Sequence, residues 1–221
     1  DANFNDTDLY ELGVKTSLLD GRLYGSVALF YWDKTNLGET PFGSDSDTFR
    51  SKGIEVELAA EPIERLSLSA NFTMMRTHAR FALPFQTANL SAEETALTGA
   101  DIIYMSGNDL PNNPDQEVPG YPEIAANLLA TYRLPNGIGF GGGPSFREGF
   151  WLNYQHTLRA PSVILWNANV FYESENWDLM LRVENLTDED WIQGSDGAFA
   201  SNTLVTPGEP LAVRFSATYK W

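Results

Sequence analysis

The carboxyl terminus alternates strictly between apolar or small side chains and polar ones. In PLAVRFSATYKW, every second residue from Leu211 to Trp221 is apolar or small, and the residues between them are mostly polar. Successive side chains of an extended strand point to opposite faces, so one face of this segment meets an apolar environment and the other meets water. The segment is therefore expected to be a β-strand.

The same period recurs along the chain and predicts an all-β protein with nine antiparallel strands and no helix. About 12 residues at roughly 3.3 Å each, tilted near 40°, would cover the apolar band of about 25 Å that a membrane barrel presents. Soluble strands are typically about half as long. The strands are predicted over residues 8–19, 22–34, 50–61, 65–76, 122–134, 137–150, 162–172, 177–187 and 208–221.

One register of seven of these strands is free of charge. It takes every second residue of 10–18, 54–60, 66–74, 124–134, 164–172, 177–183 and 211–221. These are about 35 positions, and a chain with 20% charged residues would place roughly seven charges there by chance. Because Lys or Arg at the bilayer midplane costs roughly 2–4 kcal/mol, this register is suited to face lipid. Strands 22–34 and 137–150 show no clear register.

The connections alternate in length, as they do in outer-membrane barrels with short periplasmic turns and long extracellular loops. Tight turns are predicted at 20–21, 62–64, 135–137 and 173–176, and long loops at 35–49, 77–121, 151–161 and 188–207. Aromatic residues near strand ends fit interfacial girdles. They are Tyr10, Tyr31, Trp32, Tyr132, Trp166, Tyr172, Trp177, Tyr219 and Trp221.

Two architectures fit this alternation. One is a soluble or surface-attached β-sandwich used for binding, in which the apolar face packs on a second sheet. The other is a transmembrane barrel, which must be larger than these strands because bacterial single-chain barrels have even strand numbers and lipid tolerates no open sheet edge. The strand lengths, the loop pattern and the aromatic placement favour about nine strands of a larger barrel.

Composition and motifs exclude several functions. A net charge of −16 argues against a nucleic-acid partner, and the absence of cysteine excludes disulfides and thiolate chemistry. No apolar run is long enough for a helical membrane span. His78 and His156 are the only histidines, and no nucleophile elbow or HExxH motif is present, so we expect neither an enzyme nor a metal or other cofactor. Acidic clusters at 5–8, 44–47 and 188–190 are either calcium ligands or solvated loop charge.

Four segments occur in an order that resembles a known family. They are YELGVK followed by LLDG, the strand SKGIEVEL, the motif VENLTDEDW, and a terminal GxP followed by an aromatic-ended strand. Together they resemble the carboxyl-terminal part of the barrel of TonB-dependent outer-membrane receptors, closest to ferric-siderophore receptors. Trp221 stands where members usually end in Phe, and Thr187 stands where they favour an aromatic residue.

The resemblance implies a 22-strand barrel in the bacterial outer membrane, closed around a plug domain, that imports a ferric siderophore when energised through TonB. Residues 1–221 would be the carboxyl-terminal barrel portion, and the absence of an initiator methionine or signal peptide suggests a mature, trimmed or partial chain. The implied partners are the remaining strands and plug of the same receptor, the TonB complex through that plug, the chelate and the lipid bilayer. Cobalamin or a carbohydrate is the alternative substrate.

Ligand-binding residues are expected in the long loops. Aromatic side chains there could line an apolar chelate, and arginines could meet an anionic one through charge-assisted hydrogen bonds. Interfacial anchoring or packing within a loop is the structural alternative for the aromatic residues. The candidates are Phe81, Phe85, Tyr104, Trp151, Tyr154, Trp191, Arg80 and Arg147.

Overall fold

A single antiparallel sheet contains most of the chain. The computed structural model describes residues 5–40, 43–80, 116–152, 156, 158–195 and 205–221, and these residues contain strands and connections but no helix. Nine long strands pair with one another in the order in which they occur along the chain, while a short strand extends the pairing of the fourth and two further short strands pair separately. No helix in this part of the chain is long and apolar enough to cross a membrane.

The long strands lie close to the residue ranges predicted for them. The strands are β1 (Asn5–Leu18), β2 (Leu23–Thr40), β3 (Gly43–Ile63), β4 (Leu66–Arg80), β5 (Gln116–Glu117), β6 (Ile124–Arg133), β7 (Ile138–Arg147), β8 (Val163–Glu173), β9 (Trp177–Glu184), β10 (Ile192–Ser195), β11 (Val205–Pro207) and β12 (Ala212–Tyr219). All nine predicted strands are confirmed. The short strands β5, β10 and β11 were not predicted, since two to four residues carry no readable period.

The predicted long loop over residues 35–49 is wrong. Strands β2 and β3 stay paired from Asp33↔Arg50 to Thr40↔Gly43, so the two strands extend well beyond the apolar band. The sequence there has no alternation of apolar and polar residues. Backbone hydrogen bonds, which every residue can make, continue the ladder without it.

Short turns gather at one end of the sheet, as predicted. They join β1 to β2, β3 to β4, β6 to β7 and β8 to β9, whereas the connections between the other long strands emerge at the opposite end. The turn before β7 needs a glycine, because Gly137 has φ 86° and a Cβ on it would overlap the carbonyl oxygen of Glu173. We call the opposite end, where long connections leave the sheet, the long-loop end.

One register carries the apolar side chains across all nine long strands. Val27 pairs with Val14 and Val56, and Val56 pairs in turn with Phe72. The same line of partners continues through β6, β7, β8, β9 and β12, so the charge-free positions that fall within strands share one face. The pairing also assigns the two strands that the sequence left open. Up to Tyr31, the residues of β2 on this face are Leu23, Gly25, Val27, Leu29 and Tyr31, and those of β7 are Ile138, Phe140, Gly142, Pro144 and Phe146.

Nothing covers this apolar face within the described part of the chain. Leu12 is 72% exposed and Phe215 is 68% exposed, although both lie in the middle of long strands. A β-sandwich would bury such residues against a second sheet. The sandwich alternative is therefore wrong, and the exposed face is suited to hydrocarbon.

The opposite face is concave and polar. The buried strand residues Ser51, Ala79, Gly139 and Phe171 all lie in this register. It also carries ion pairs, which would be costly in lipid. Arg214 contacts Glu184 and Glu209, Lys220 lies 2.6 Å from Asp178, and Arg133 lies 3.6 Å from Glu173. We call this surface the luminal face.

The predicted aromatic girdle is wrong in one residue, Trp32. Tyr31 pairs with Tyr10 on the apolar face, and their rings lie 6.3 Å apart. Trp32 pairs with Leu9 and Ser51 and therefore projects from the luminal face. At the short-turn end, Trp177 and Tyr219 are tilted neighbours with ring centroids 5.0 Å apart, as expected of a second girdle.

The glycines of GFGGGP, residues 139–144 of β7, relieve crowding between neighbouring strands. A Cβ on Gly143 would overlap the carbonyl oxygen of Leu128, and one on Gly139 would overlap the ring of Phe171. Phe171 thus covers Gly139 across the strand pair, and the guanidinium of Arg133 lies 5.5 Å from the centre of that ring. The segment is a strand and not a phosphate-binding loop.

The face assignment predicts opposite outcomes for two neighbouring substitutions in β2. Val27→Arg would place a charge in the apolar band and should cost roughly 2–4 kcal/mol of folding free energy. Ala28→Arg lies on the luminal face beside Glu55 and should cost less than about 1 kcal/mol. Urea-dependent folding of the full receptor into lipid vesicles measures both. Equal costs would contradict the assignment.

Candidate functional site

A bulge at the long-loop end reshapes the luminal face. The carbonyl oxygen of Thr77 accepts a hydrogen bond from the backbone amide of Val118 at 2.9 Å. The backbone amide of Met75 donates one to the carbonyl oxygen of Glu123 at 2.8 Å. A single residue of β4 therefore faces four residues, 119–122, of the opposing segment. Bulges re-aim side chains near functional sites, and this one brings Val118 and Tyr121 to the luminal face of β2, β3 and β4.

An open groove lies between this bulge and the strands. It is rich in aromatic side chains and also holds small polar groups and two carboxylates. We call it the luminal groove, and its lining residues are Leu9, Glu11, Phe30, Trp32, Phe49, Ser51, Glu55, Met75, Thr77, Val118 and Tyr121. Strands β1 to β4 supply all but the last two, so a rigid ladder holds most of the lining in place.

The polar groups of the luminal groove differ in how they are satisfied. Ser51 and Thr77 share a hydrogen bond of 2.9 Å between their hydroxyls. Glu11 and Glu55 form no ion pair with any cationic side chain of the described residues. An aromatic surface with a few convergent polar groups is the usual composition of a small-molecule site.

Arg147 holds a connection in place at the same end of the sheet. Its guanidinium donates hydrogen bonds to the backbone oxygens of Ile192 at 2.8 Å and Gln193 at 2.9 Å. It also lies 4.8 Å from the ring centre of Trp191 and 5.4 Å from that of Phe150. The planar fork of arginine suits two backbone acceptors and an aromatic face at once. Arg147 therefore anchors β10 to the end of β7.

Trp151 makes a second set of contacts between loops. Its ring stacks on that of His156 with centroids 4.8 Å apart, and the guanidinium of Arg159 lies 5.5 Å from the same ring. Gly120 of the bulge donates to the carbonyl oxygen of Trp151 at 2.7 Å, and His156 Nε2 lies 3.2 Å from the carbonyl oxygen of Glu117. These contacts tie the 150–160 connection to the bulge that lines the luminal groove.

The VENLTDEDW motif forms the connection after β9. Asn185 is only 3% exposed and has φ 50°, a conformation that asparagine tolerates well. Its amide nitrogen donates to the carbonyl oxygens of Glu189 at 2.9 Å and Glu209 at 3.1 Å, while its side-chain oxygen accepts from the Glu189 amide at 2.9 Å. Asp188 accepts from the amide of Leu211 at 2.9 Å. The motif thus fixes the entry into β12.

The structure tests the position of only some predicted ligand-binding residues. Phe81, Phe85, Tyr104 and Tyr154 lie outside the described residues, and Arg80 ends β4 with its side chain also outside them. The remaining three, Trp151, Trp191 and Arg147, lie at the long-loop end but do not line the luminal groove. Arg147 and Trp191 contact each other. That these residues bind a ligand stays a prediction.

Sequence reasoning missed the luminal groove itself. Phe30 and Trp32 recur in one register of β2, but the other register is also apolar, so the strand offered no clean choice of face. The remaining lining comes from strands that are far apart in the sequence and from an irregular bulge. The one available signal was the aromatic pair near the long-loop end of β2.

Residues 7–186 match the family described as TonB dependent receptor-like, beta-barrel. The chain belongs to this family. TonB-dependent receptors are outer-membrane receptors and not enzymes, which confirms the expected localisation and the absence of catalysis. The fold is likewise confirmed as part of an antiparallel transmembrane barrel.

Proteins similar to this TonB-dependent receptor segment include siderophore receptors. A probable TonB-dependent siderophore receptor, PiuA of Acinetobacter baumannii, is 24% identical over 215 residues, which cover 95% of this chain and 27% of that protein. The crystal structure of the siderophore receptor PiuA from Acinetobacter baumannii superimposes with a TM-score of 0.68 at 20% identity, over 97% of this chain and 28% of that one.

Two further crystal structures share the fold. The closed form of Fiu, the ferric-catecholate import receptor of E. coli K12, matches with a TM-score of 0.64 at 19% identity, over 98% of this chain and 28% of that one. BauA, the ferric preacinetobactin receptor of Acinetobacter baumannii, matches with a TM-score of 0.66 at 18% identity, over 96% and 29%. The chain spans a little over a quarter of the length of the relatives it matches.

The buried amide of Asn185 predicts a local loss of stability. Asn185→Ala removes three hydrogen bonds and the residue best suited to its φ, and should cost about 2–3 kcal/mol. Limited proteolysis of the full receptor should then cut between residues 185 and 211 at lower protease concentration. Asn136→Ala is the control, because that exposed turn residue only accepts a bond from Ile138 at 3.2 Å. Equal sensitivity of both variants would contradict this role.

The contacts of Arg147 with Ile192, Gln193 and Trp191 predict that lysine cannot replace arginine at this position without loosening β10. Arg147→Lys keeps the charge but loses the two parallel hydrogen bonds and the flat contact with Trp191. Hydrogen exchange of the amides of residues 192–195 should accelerate roughly tenfold, corresponding to about 1.4 kcal/mol. Arg76→Lys, at an exposed ion pair with Glu123, should leave those amides unchanged. If the amides of residues 192–195 exchange at the same rate in Arg147→Lys, Arg147 does not anchor β10.

Proposed function

We propose that this chain is the carboxyl-terminal barrel portion of an outer-membrane receptor that binds and imports a ferric siderophore, with the chelate held in the luminal groove. The groove opens on the concave face near the long-loop end, where a ligand arriving from outside the cell would first meet the lumen. Its aromatic lining supplies large apolar contact area at low entropic cost. This placement carries the proposal.

The proposed partners follow from the family and from the sheet edges. Strands β1 and β12 each pair with one neighbour only among the described residues, and unpaired edges are not tolerated in lipid. The remaining strands of the same receptor would pair with these edges, and a plug domain would occupy the lumen. TonB would act through that plug. The siderophore receptors PiuA, Fiu and BauA, which share the fold, support a ferric siderophore over cobalamin or a carbohydrate.

Trp32 gives the sharpest test of the luminal groove. Trp32→Ala in the full receptor should weaken binding of a ferric siderophore by roughly 10- to 100-fold, since a buried aromatic contact contributes about 1.5–3 kcal/mol. Equilibrium binding of the iron-loaded chelate to the purified receptor in detergent measures the loss.

Trp177→Ala is the matched control, because Trp177 lies on the apolar face at the short-turn end and pairs with Tyr219. It should bind the chelate like the unchanged receptor. Both variants should keep the heat-modifiable gel mobility of a folded barrel. Unchanged affinity in folded Trp32→Ala, or tight binding of cobalamin or a carbohydrate in place of every ferric chelate, would contradict the proposal.

A further inference from the structure

Among the described residues, the luminal groove combines aromatic faces with negatively charged side chains and has no positively charged lining residue. Glu11 of β1 pairs with Phe30 of β2, and Glu55 of β3 pairs with Ala28 of β2, so the two carboxylates come from strands on either side of β2. No lysine, arginine or histidine is among the residues that line it. The groove is therefore an aromatic surface with an acidic character.

The neighbouring charges do not cancel this character. Glu57 and Glu61 continue the luminal register of β3 below Glu55, and Glu57 accepts a hydrogen bond of 3.2 Å from Ser26. Lys34 lies beyond Trp32 at the outer rim, and Lys15 lies two luminal positions below Glu11. Neither lysine forms an ion pair within the described part of the chain, and four carboxylates face these two cations.

This arrangement matches one kind of ligand charge. Aromatic faces attract cations through their quadrupole, and unpaired carboxylates add a direct attraction for ammonium groups. An anionic chelate would instead meet like charge, which is an effective way to reject a wrong ligand. Arg147, which the sequence offered for an anionic chelate, does not line the groove, because its guanidinium donates instead to the backbone oxygens of Ile192 and Gln193.

We infer that the luminal groove selects iron chelates that carry a cationic amine and discriminates against strongly anionic ones. This inference rests on the proposed function and narrows the class of siderophore. The amine lies between Glu11 and Glu55, and the apolar part of the chelate contacts Phe30, Trp32 and Tyr121. The alternative ligand is a trianionic catecholate chelate, and the test must show which of the two kinds of chelate the receptor binds more tightly.

Binding of three chelates to the full receptor tests the inference. The probes are a ferric trihydroxamate with one free ammonium group, the same chelate with that amine acetylated, and a trianionic ferric tris-catecholate. The ammonium chelate should bind roughly tenfold more tightly than its acetylated form, and the catecholate should bind most weakly. Raising the salt concentration should narrow these differences.

Paired variants locate the preference. The double variant Glu11→Gln and Glu55→Gln should reduce the preference for the ammonium chelate to less than about twofold, while binding of the acetylated chelate stays within about twofold of the unchanged receptor. Glu61→Gln is the control, because Glu61 lies on β3 outside the groove lining and should keep the full preference. Retained binding of the acetylated chelate shows that the double variant is folded.

Each outcome separates this inference from the proposed function. Equal binding of all three chelates, tightest binding of the catecholate, or a preference that survives the double variant would overturn the charge selection and leave the siderophore receptor standing. The last result would show that other groups in the receptor, and not these two carboxylates, attract the ammonium group. Failure of every chelate to bind, together with no effect of Trp32→Ala, would overturn the proposed function and this inference with it.

Discussion

Hydrogen bonding between backbones in an apolar solvent is the constraint on which this structure depends. Lipid offers no partner for an unpaired amide or carbonyl, so a strand wall must satisfy each of its polar backbone groups through neighbouring strands. That demand fixes a continuous ladder from β1 to β12, and the ladder in turn fixes which side chains share a face. A slip of one residue in any pair would turn that strand's apolar set toward the lumen. The matched line Val14, Val27, Val56 and Phe72 shows that no such slip occurs among β1 to β4, and the pairing of the remaining long strands keeps the same register.

Once the outer face is committed to lipid, functional variation is confined to the luminal face and the loops. The luminal face carries ion pairs, glycines and the aromatic groove, and it tolerates all three because water or protein can lie against it. At the long-loop end, hydrogen bonds and ring contacts within the connections involve the side chains of Arg147, Trp151 and Asn185. Residues of the types that bind ligands are here used to position a rim. The ladder of β1 to β4 is therefore the better place to hold a ligand precisely oriented, and the bulge at 118–122 adds the missing wall.

The alternation of the sequence was enough to predict the strands, their order and the lipid-facing register of seven of them, because that information is local and repeats with period two. It was not enough for β2, where Phe30 and Trp32 on one face compete with Leu29 and Tyr31 on the other. Only the pairing with β1 and β3 resolves that ambiguity. The luminal groove was beyond sequence reasoning for a related reason. Its lining is assembled across four strands and a bulge whose length depends on where β4 changes partners, and none of those distances is written in the local pattern.

The central claim is that the apolar register faces hydrocarbon and the opposite register faces the lumen. The chain contains no cysteine, so single cysteines can be introduced at each residue of 23–31 in β2 and spin-labelled in the full receptor reconstituted into lipid vesicles. Collision rates with oxygen, which concentrates in lipid, and with a water-soluble nickel chelate should then be compared along the strand. Collisions with oxygen should be more frequent than collisions with the nickel chelate at the odd positions. The reverse should hold at the even positions, which include Phe30 of the luminal groove. The opposite phase, or no alternation at all, would contradict the central claim.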